Sequence, residues 1–313
     1  MTDYRDAKYT FPTVTFSGAT ESSPVSGNIW YDSGKYYLGT SQDLVGVWSS
    51  GGNLATARSG FAGCGTQSAG LAMGGDTTLL DNNTNTTEEY NGTAWSAGGN
   101  LGAAVRQNAG AGIQTAGLSI GGTGTATYNT ATEEYDGSSW SGGGSLSTGR
   151  WGLAGAGTQT AGLCFGGTTG SNSVVTEEYD GSSWSSGGNL ATATRGQAGA
   201  GIQSAALKFG GYDGSSPVTV TEEYNGTAWS AGGDLAVAQY YFAGFGTQTA
   251  AAGAGNSTAP QTACATYDGT SWSAGGSLIT GRSNLAGAGT TTAGLCFGGN
   301  TGAVSNVTEE YDP

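Results

Sequence analysis

The sequence predicts an all-β chain built from six copies of one four-stranded unit behind a non-repeating N-terminal arm. Three observations predict it. The first is a period: Trp48, Trp95, Trp140, Trp184, Trp229 and Trp272 each open a segment of the form W-S-x-G-G-x-L, 47, 45, 44, 45 and 43 residues apart. Self-similarity at such spacings marks a repeat architecture. The second is composition, since 61 of 313 residues are Gly against an average usage of roughly 7%. The third is segment length: pieces of five to seven residues lie between Gly, Asn, Asp, Ser and Thr with no i, i+3, i+4 apolar stripe, and that is strand patterning, not helix patterning.

Residues 1–44 do not repeat. Gly27-Asn28-Ile29-Trp30-Tyr31-Asp32-Ser33-Gly34-Lys35-Tyr36-Tyr37-Leu38 reads as a β-hairpin, and β-prone Tyr9-Thr10-Phe11 and Val14-Thr15-Phe16 precede it. So small a segment buries no core of its own, so 1–44 is expected to be an arm for attachment or assembly and 45–313 the repeat domain. Residues 272–311 show the order within a unit: WSAGGSL, ITGRS, NLAGAGT, TTAGLCFGG, a variable loop and VTEEY.

Two local signals recur. Tyr90-Asn91-Gly92, Tyr135-Asp136-Gly137, Tyr179-Asp180-Gly181, Tyr224-Asn225-Gly226 and Tyr267-Asp268-Gly269 each lead to the next Trp. Asn-Gly and Asp-Gly favour the positive φ angles of tight hairpin turns, which sets each Tyr near a Trp on the following strand. The doublets Gly74-Gly75, Gly121-Gly122, Gly166-Gly167, Gly210-Gly211 and Gly298-Gly299 follow a short apolar strand, where a Cβ would block the backbone. The unit around 243–268 departs from the pattern: it reads as having lost its doublet, and Cys264-Ala265-Thr266-Tyr267 stands where the others, Tyr311 included, have Thr-Glu-Glu-Tyr.

An apolar strand ending in Gly-Gly, then Tyr, then Trp, then a loop carrying Arg resembles the kelch repeat, over about 266 of the 313 residues. The Tyr-to-Trp gap is shorter than the usual kelch spacing, which makes this a kelch-like branch. The resemblance implies a β-propeller with the Ala/Gly-rich strand innermost and the Trp strand outermost. The inner segments Gly63-Cys64-Gly65, Gly110-Ala111-Gly112, Gly155-Ala156-Gly157, Gly199-Ala200-Gly201, Gly244-Phe245-Gly246 and Gly287-Ala288-Gly289 suit a crowded axis, apart from Phe245. The chain ends on Glu309-Glu310-Tyr311-Asp312-Pro313, where a Trp strand should follow, and the repeats begin with an unattached Val47-Trp48-Ser49. The fold expected is therefore a six-bladed kelch-like β-propeller closed by an N-terminal outer strand.

Composition narrows the function. Nine Lys+Arg against 23 Asp+Glu leave a formal charge of −14, which disfavours nucleic acid and anionic membranes as partners. With no His, the commonest general base and metal ligand is absent. Cys64, Cys164, Cys264 and Cys296 show no metal-binding spacing and read as small buried apolar residues. No cofactor and no metal are expected. The Glu pairs at 88–89, 133–134, 177–178, 222–223 and 309–310 suggest glycosidase carboxylates, but neighbours on a strand face opposite ways and five copies suit a scaffold. Arg58, Arg106, Arg150, Arg195 and Arg282 recur before the inner strand, and the unit with Gln239 instead also lacks Glu-Glu. Arg and Glu are therefore expected to pair as structure, within or between blades.

Variation gathers in the loops at 76–86, 123–131, 168–175, 212–220, 256–263 and 300–306 and beside the Arg positions. A constant frame with a diversified rim is how rigid scaffolds carry binding surfaces. Trp151, Tyr212, Tyr240 and Tyr241 are the aromatics that break the pattern there, and rings with polar edges suit sugar or protein surfaces. The arm hairpin and the Gly/Ser/Thr/Asn-rich repeats resemble structural proteins of tailed-phage virions. That resemblance implies a non-enzymatic virion protein of tail, fibre or capsid, assembled in the host cytoplasm. Its partners would be other virion proteins through 1–44, further copies of itself, and a host-surface glycan or protein at the rim. The alternatives are a secreted bacterial carbohydrate-binding or adhesion module and a cryptic glycan hydrolase.

Overall fold

The computed structural model describes residues 29–32, 35–38, 46–79, 82–124, 128–259 and 261–312, in two compact units, 1–45 and 46–313. In the first, Ile29–Asp32 pairs antiparallel with Lys35–Leu38, Trp30 opposite Tyr37. The strands expected around Tyr9-Thr10-Phe11 and Val14-Thr15-Phe16 lie outside the described residues.

Six four-stranded antiparallel sheets make up the second unit, a six-bladed β-propeller without a helix among the described residues. The third blade shows the order outward from the axis: Ala154–Thr158, Ala161–Phe165, Thr176–Tyr179 and Trp184–Ser186. Each inner strand lies against the inner strands of both neighbouring blades, and the circuit runs from the sixth blade back to the first. Ala286–Thr290, Ala293–Phe297 and Thr308–Asp312 form the sixth blade with Val47–Ser50 as outer strand, Trp48 opposite Tyr311.

Crowding at the axis accounts for the first glycine of each inner strand. A Cβ on Gly110 would stand 2.7 Å from the Gly63 carbonyl oxygen, and one on Gly155 2.6 Å from that of Gly110. Alternate residues such as Ala109 and Ala111 turn away from the axis into the cores between blades. Phe245 follows the same alternation: it is 5% exposed, and its ring meets Trp48 edge-on at 6.5 Å. The sequence-based placement of Phe245 as an intrusion on the axis is thereby corrected.

Three side-chain ties join one blade to the next. Each third-strand Tyr stacks on the Trp of its own outer strand with ring centroids 4.8–5.1 Å apart, from Tyr90–Trp95 through Tyr135–Trp140, Tyr179–Trp184, Tyr224–Trp229 and Tyr267–Trp272 to Tyr311–Trp48. The Trp indole then donates to a Thr hydroxyl of the preceding blade, as Trp95 to Thr308, Trp140 to Thr87, Trp184 to Thr132, Trp229 to Thr176 and Trp272 to Thr221. The Tyr hydroxyl donates to the preceding blade's second Glu, as Tyr90 to Glu310 and Tyr135 to Glu89, both at 2.5 Å. Gln67, Gln114, Gln159, Gln203 and Gln248 each donate to two backbone carbonyls of the preceding blade. Sequence reading missed these glutamines, although their fixed place after the inner strand was a visible signal.

All three ties are absent at one junction, between the fifth and sixth blades. Cys264 replaces the Thr, so the Trp48 indole turns to the Gly276 carbonyl. Thr266 replaces the Glu that Tyr311 would bond, and Thr291 replaces the Gln. The second strand of the fifth blade is Ala250–Ala254, where the third blade has Leu163 and Phe165, and Phe245 fills the room those small side chains leave, against Ala252, Ala254 and Leu285. The doublet is only half lost: Gly255 keeps its place with φ +86°, and buried Asn256 stands for the second glycine, donating through its side chain to the Ala238 carbonyl.

Candidate functional site

The five arginines form two sets, which corrects their reading as one repeat position paired with Glu. Arg58, Arg150 and Arg282 stand four residues before their inner strands at Ala62, Ala154 and Ala286. They are 0–1% exposed and pair with Glu88, Glu177 and Glu309 at 2.7, 2.8 and 3.1 Å. Burial pulls the guanidinium pKa of Arg58 down from its ordinary value, and Glu88 opposes that pull. Arg106 and Arg195 stand one residue later, three before Ala109 and Ala198, with Val105 and Thr194 at the buried position. That single step turns both guanidinium groups onto the loop face of the propeller. Arg106 pairs there with Asp76 at 2.9 Å, and in the fourth blade Lys208 takes over the interior, 3.9 Å from Glu222. Gln239 replaces the buried arginine of the fifth blade and donates to the Gly255 carbonyl at 2.8 Å.

The next residue in each entering loop builds the mouth of the axis. Gly60, Gln107, Gly152, Gly196, Tyr241 and Asn284 all have φ between +52° and +62°. Their backbones form a closed ring in which each N–H donates to the corresponding carbonyl of the preceding blade, at 2.6–2.9 Å, with Gly60 returning to Asn284. A non-glycine residue in this region carries strain, Tyr and Gln more than Asn. The two long side chains lie over neighbouring glycines: a Cβ on Gly196 would meet the Tyr241 ring at 2.7 Å, and one on Gly60 would meet the Gln107 amide at 2.6 Å. The Gln107 amide donates across to Asn284 Oδ1 at 2.9 Å. Below, a cavity of about 90 Å³ is lined by Asn108 and Gln197 among others. Their buried amide oxygens accept no hydrogen bond within the protein.

Trp151, Tyr212, Tyr240 and Tyr241 come together on one arc of this mouth around Arg195. The Arg195 guanidinium lies 4.8 Å from the Tyr212 ring centroid and 5.9 Å from that of Trp151. Tyr212 and Tyr240 are 5.6 Å apart, Tyr240 and Tyr241 5.2 Å. Arg195 donates to Asn172 Oδ1 at 3.1 Å, and no carboxylate among the described residues pairs with it. Burial raises the Tyr241 hydroxyl pKa, and Arg195 holds the rise back. Among the described residues, neither the mouth cavity nor the channel beneath it is lined by Asp or Glu. The arc offers ring faces, one guanidinium and amide acceptors, which is the equipment of recognition. The four cysteines are free, with Cys64, Cys164 and Cys296 buried and Cys264 half-buried.

No family model matches this chain, and no curated protein matches it. Among solved structures it is similar to YjhT, with a TM-score of 0.69, covering 83% of this chain and 96% of that one at 13% identity. A likeness at that identity carries the fold alone, and the fold the two chains share is the six-bladed β-propeller.

Proposed function

We propose that this chain is a non-catalytic binding module of a tailed-phage virion, a kelch-like propeller carried by its N-terminal arm on other virion proteins and presenting the mouth arc to a host-surface glycan. The observation that carries the reading is the convergence of Trp151, Tyr212, Tyr240 and Tyr241 on Arg195. Side chains that only filled gaps between blades would be scattered with the irregularities of the repeat. These come from three different blades and share one solvent-facing arc. Strain at Tyr241 supports the same reading, because backbone strain concentrates at functional sites. The virion assignment is supported by the arm hairpin and the composition, and the kelch-like assignment by the order Gly-Gly, Tyr, Trp within each unit.

The test is binding of the purified chain to host cells and to a broad glycan array. Wild type should bind a restricted set of glycans, and Trp151→Ala with Tyr241→Ala should lose that binding at least tenfold while keeping the fold. Unchanged binding in the double variant would remove the site from the proposal. Labelling purified particles with an antibody to this chain tests the virion assignment separately.

A further inference from the structure

The fifth blade holds a pocket whose shape the other blades define. In the other five, the first Glu of Thr-Glu-Glu-Tyr reaches under the loop entering its blade, and one carboxylate oxygen accepts the same backbone N–H each time. Ala55 donates to Glu88, Gly102 to Glu133, Ser147 to Glu177, Ala191 to Glu222 and Ile279 to Glu309, all at 2.7–2.8 Å. In the first, fourth and sixth blades the next N–H, of Thr56, Thr192 or Thr280, donates to the second oxygen at 3.1–3.2 Å. Successive backbone N–H groups of this kind make an anion-binding concavity.

Ala265 stands in the fifth blade where the others have that Glu. The matching donors, the N–H groups of Ala236 and Val237, make no hydrogen bond within the protein. Beside them lies an open cavity of about 90 Å³, bounded by Leu235, Val237, Gln239, Cys264, Ala265 and Trp272. Of these, Val237, Gln239 and Ala265 occupy the donor, arginine and glutamate positions of the repeat, and most of the wall is apolar. We propose that this pocket binds an aliphatic carboxylate of propionate size, with two carbons against the apolar wall and both oxygens on the N–H groups of Ala236 and Val237. No cation is needed, because the second blade already holds Glu133 on the Gly102 N–H with Val105 at the arginine position. A free short-chain acid and a glutamyl side chain from another chain present the same group. The pocket is independent of the mouth arc.

The experiment is a titration of the isotopically labelled full chain, following backbone amide resonances. Sodium propionate is compared with sodium chloride at constant ionic strength and with propionamide as the uncharged isostere. The Ala236 and Val237 amide protons should shift downfield and saturate with propionate, with at least tenfold weaker binding of propionamide. Ala265→Glu supplies the carboxylate from within, so its two amides should start shifted and ignore propionate. Tighter binding of N-acetylglutamate α-amide than of propionate assigns the pocket to a glutamyl side chain, and equal or weaker binding assigns it to a free acid; both sustain the site. Shifts matched by chloride, or an Ala265→Glu chain that answers propionate as wild type does, would overturn it. The wild-type titration decides the question even if that variant fails to fold.

Discussion

Tyr241 carries a bulky ring at φ +52°, a conformation that costs a non-glycine residue about 1–2 kcal/mol. The third and fourth blades use Gly152 and Gly196 at the same place in the hydrogen-bonded ring, so the geometry is required by the mouth and the side chain is not. Tyr241→Gly and Tyr241→Ala both remove the ring, but only the first removes the strain. Since glycine returns about 0.4–1 kcal/mol through the freedom of the unfolded chain, the Gly variant should be more stable than the Ala variant by about 1 kcal/mol in urea unfolding. Buried Arg150 and Glu177 give a second measurement. Removing one partner of such a pair costs about 3–5 kcal/mol, whereas replacing both need not, and the fifth blade already has Gln239 and Ala265 in their places. Glu177→Ala should therefore be strongly destabilising, and adding Arg150→Gln should recover about 2 kcal/mol or more of the loss.

The blades are alike in strand order and unlike in how they hold their neighbours. Five junctions carry an indole–hydroxyl bond, a phenol–carboxylate bond and a bridging Gln amide, while the junction of the fifth and sixth blades has Phe245 against Trp48 and the Trp48 indole on the Gly276 carbonyl. Truncating a buried Phe costs about 3–5 kcal/mol, and here none of the three side-chain ties of the repeat remains to hold the two sheets. Phe245→Ala should lower the urea midpoint by that order and speed amide exchange first in Ala243–Thr247 and Ala286–Thr290. Equal acceleration in all six inner strands would show that the junction is not the weak point. The substitutions Cys264, Thr266 and Thr291 are visible in the sequence one by one. Their meeting at one interface is not, because two of them lie on the third strand of the fifth blade and the other in a turn of the sixth.

As a whole the ring is tied by Tyr hydroxyls, and that gives it an alkaline limit. Burial first, and the bonded Glu second, push the pKa of Tyr90, Tyr135, Tyr224 and Tyr267 up to about 12, from about 10 in the unfolded chain. Their folded pKa values are raised, so the stability they contribute is complete below pH of about 10 and is lost as pH rises through about 12. Thermal unfolding should accordingly be insensitive to these groups near neutrality and fall steeply between pH of about 10 and 12. A flat profile there would show that the hydroxyls do not hold the blades together.

The period of the tryptophans, the glycine alternation and the Asn-Gly and Asp-Gly turns were enough to establish six four-stranded units, because these features act over a few neighbouring residues. They also singled out Trp151, Tyr212, Tyr240 and Tyr241 as departures from the pattern. The role of Arg195 was hidden by a one-residue step, since sequence shows that an Arg recurs but not which way a loop turns it. The face of Phe245, the closed backbone ring at the mouth and the unfilled carboxylate position beside Ala265 were equally illegible. Each depends on groups far apart in the chain, and bringing such groups within hydrogen-bonding distance is the work of the closed ring of blades.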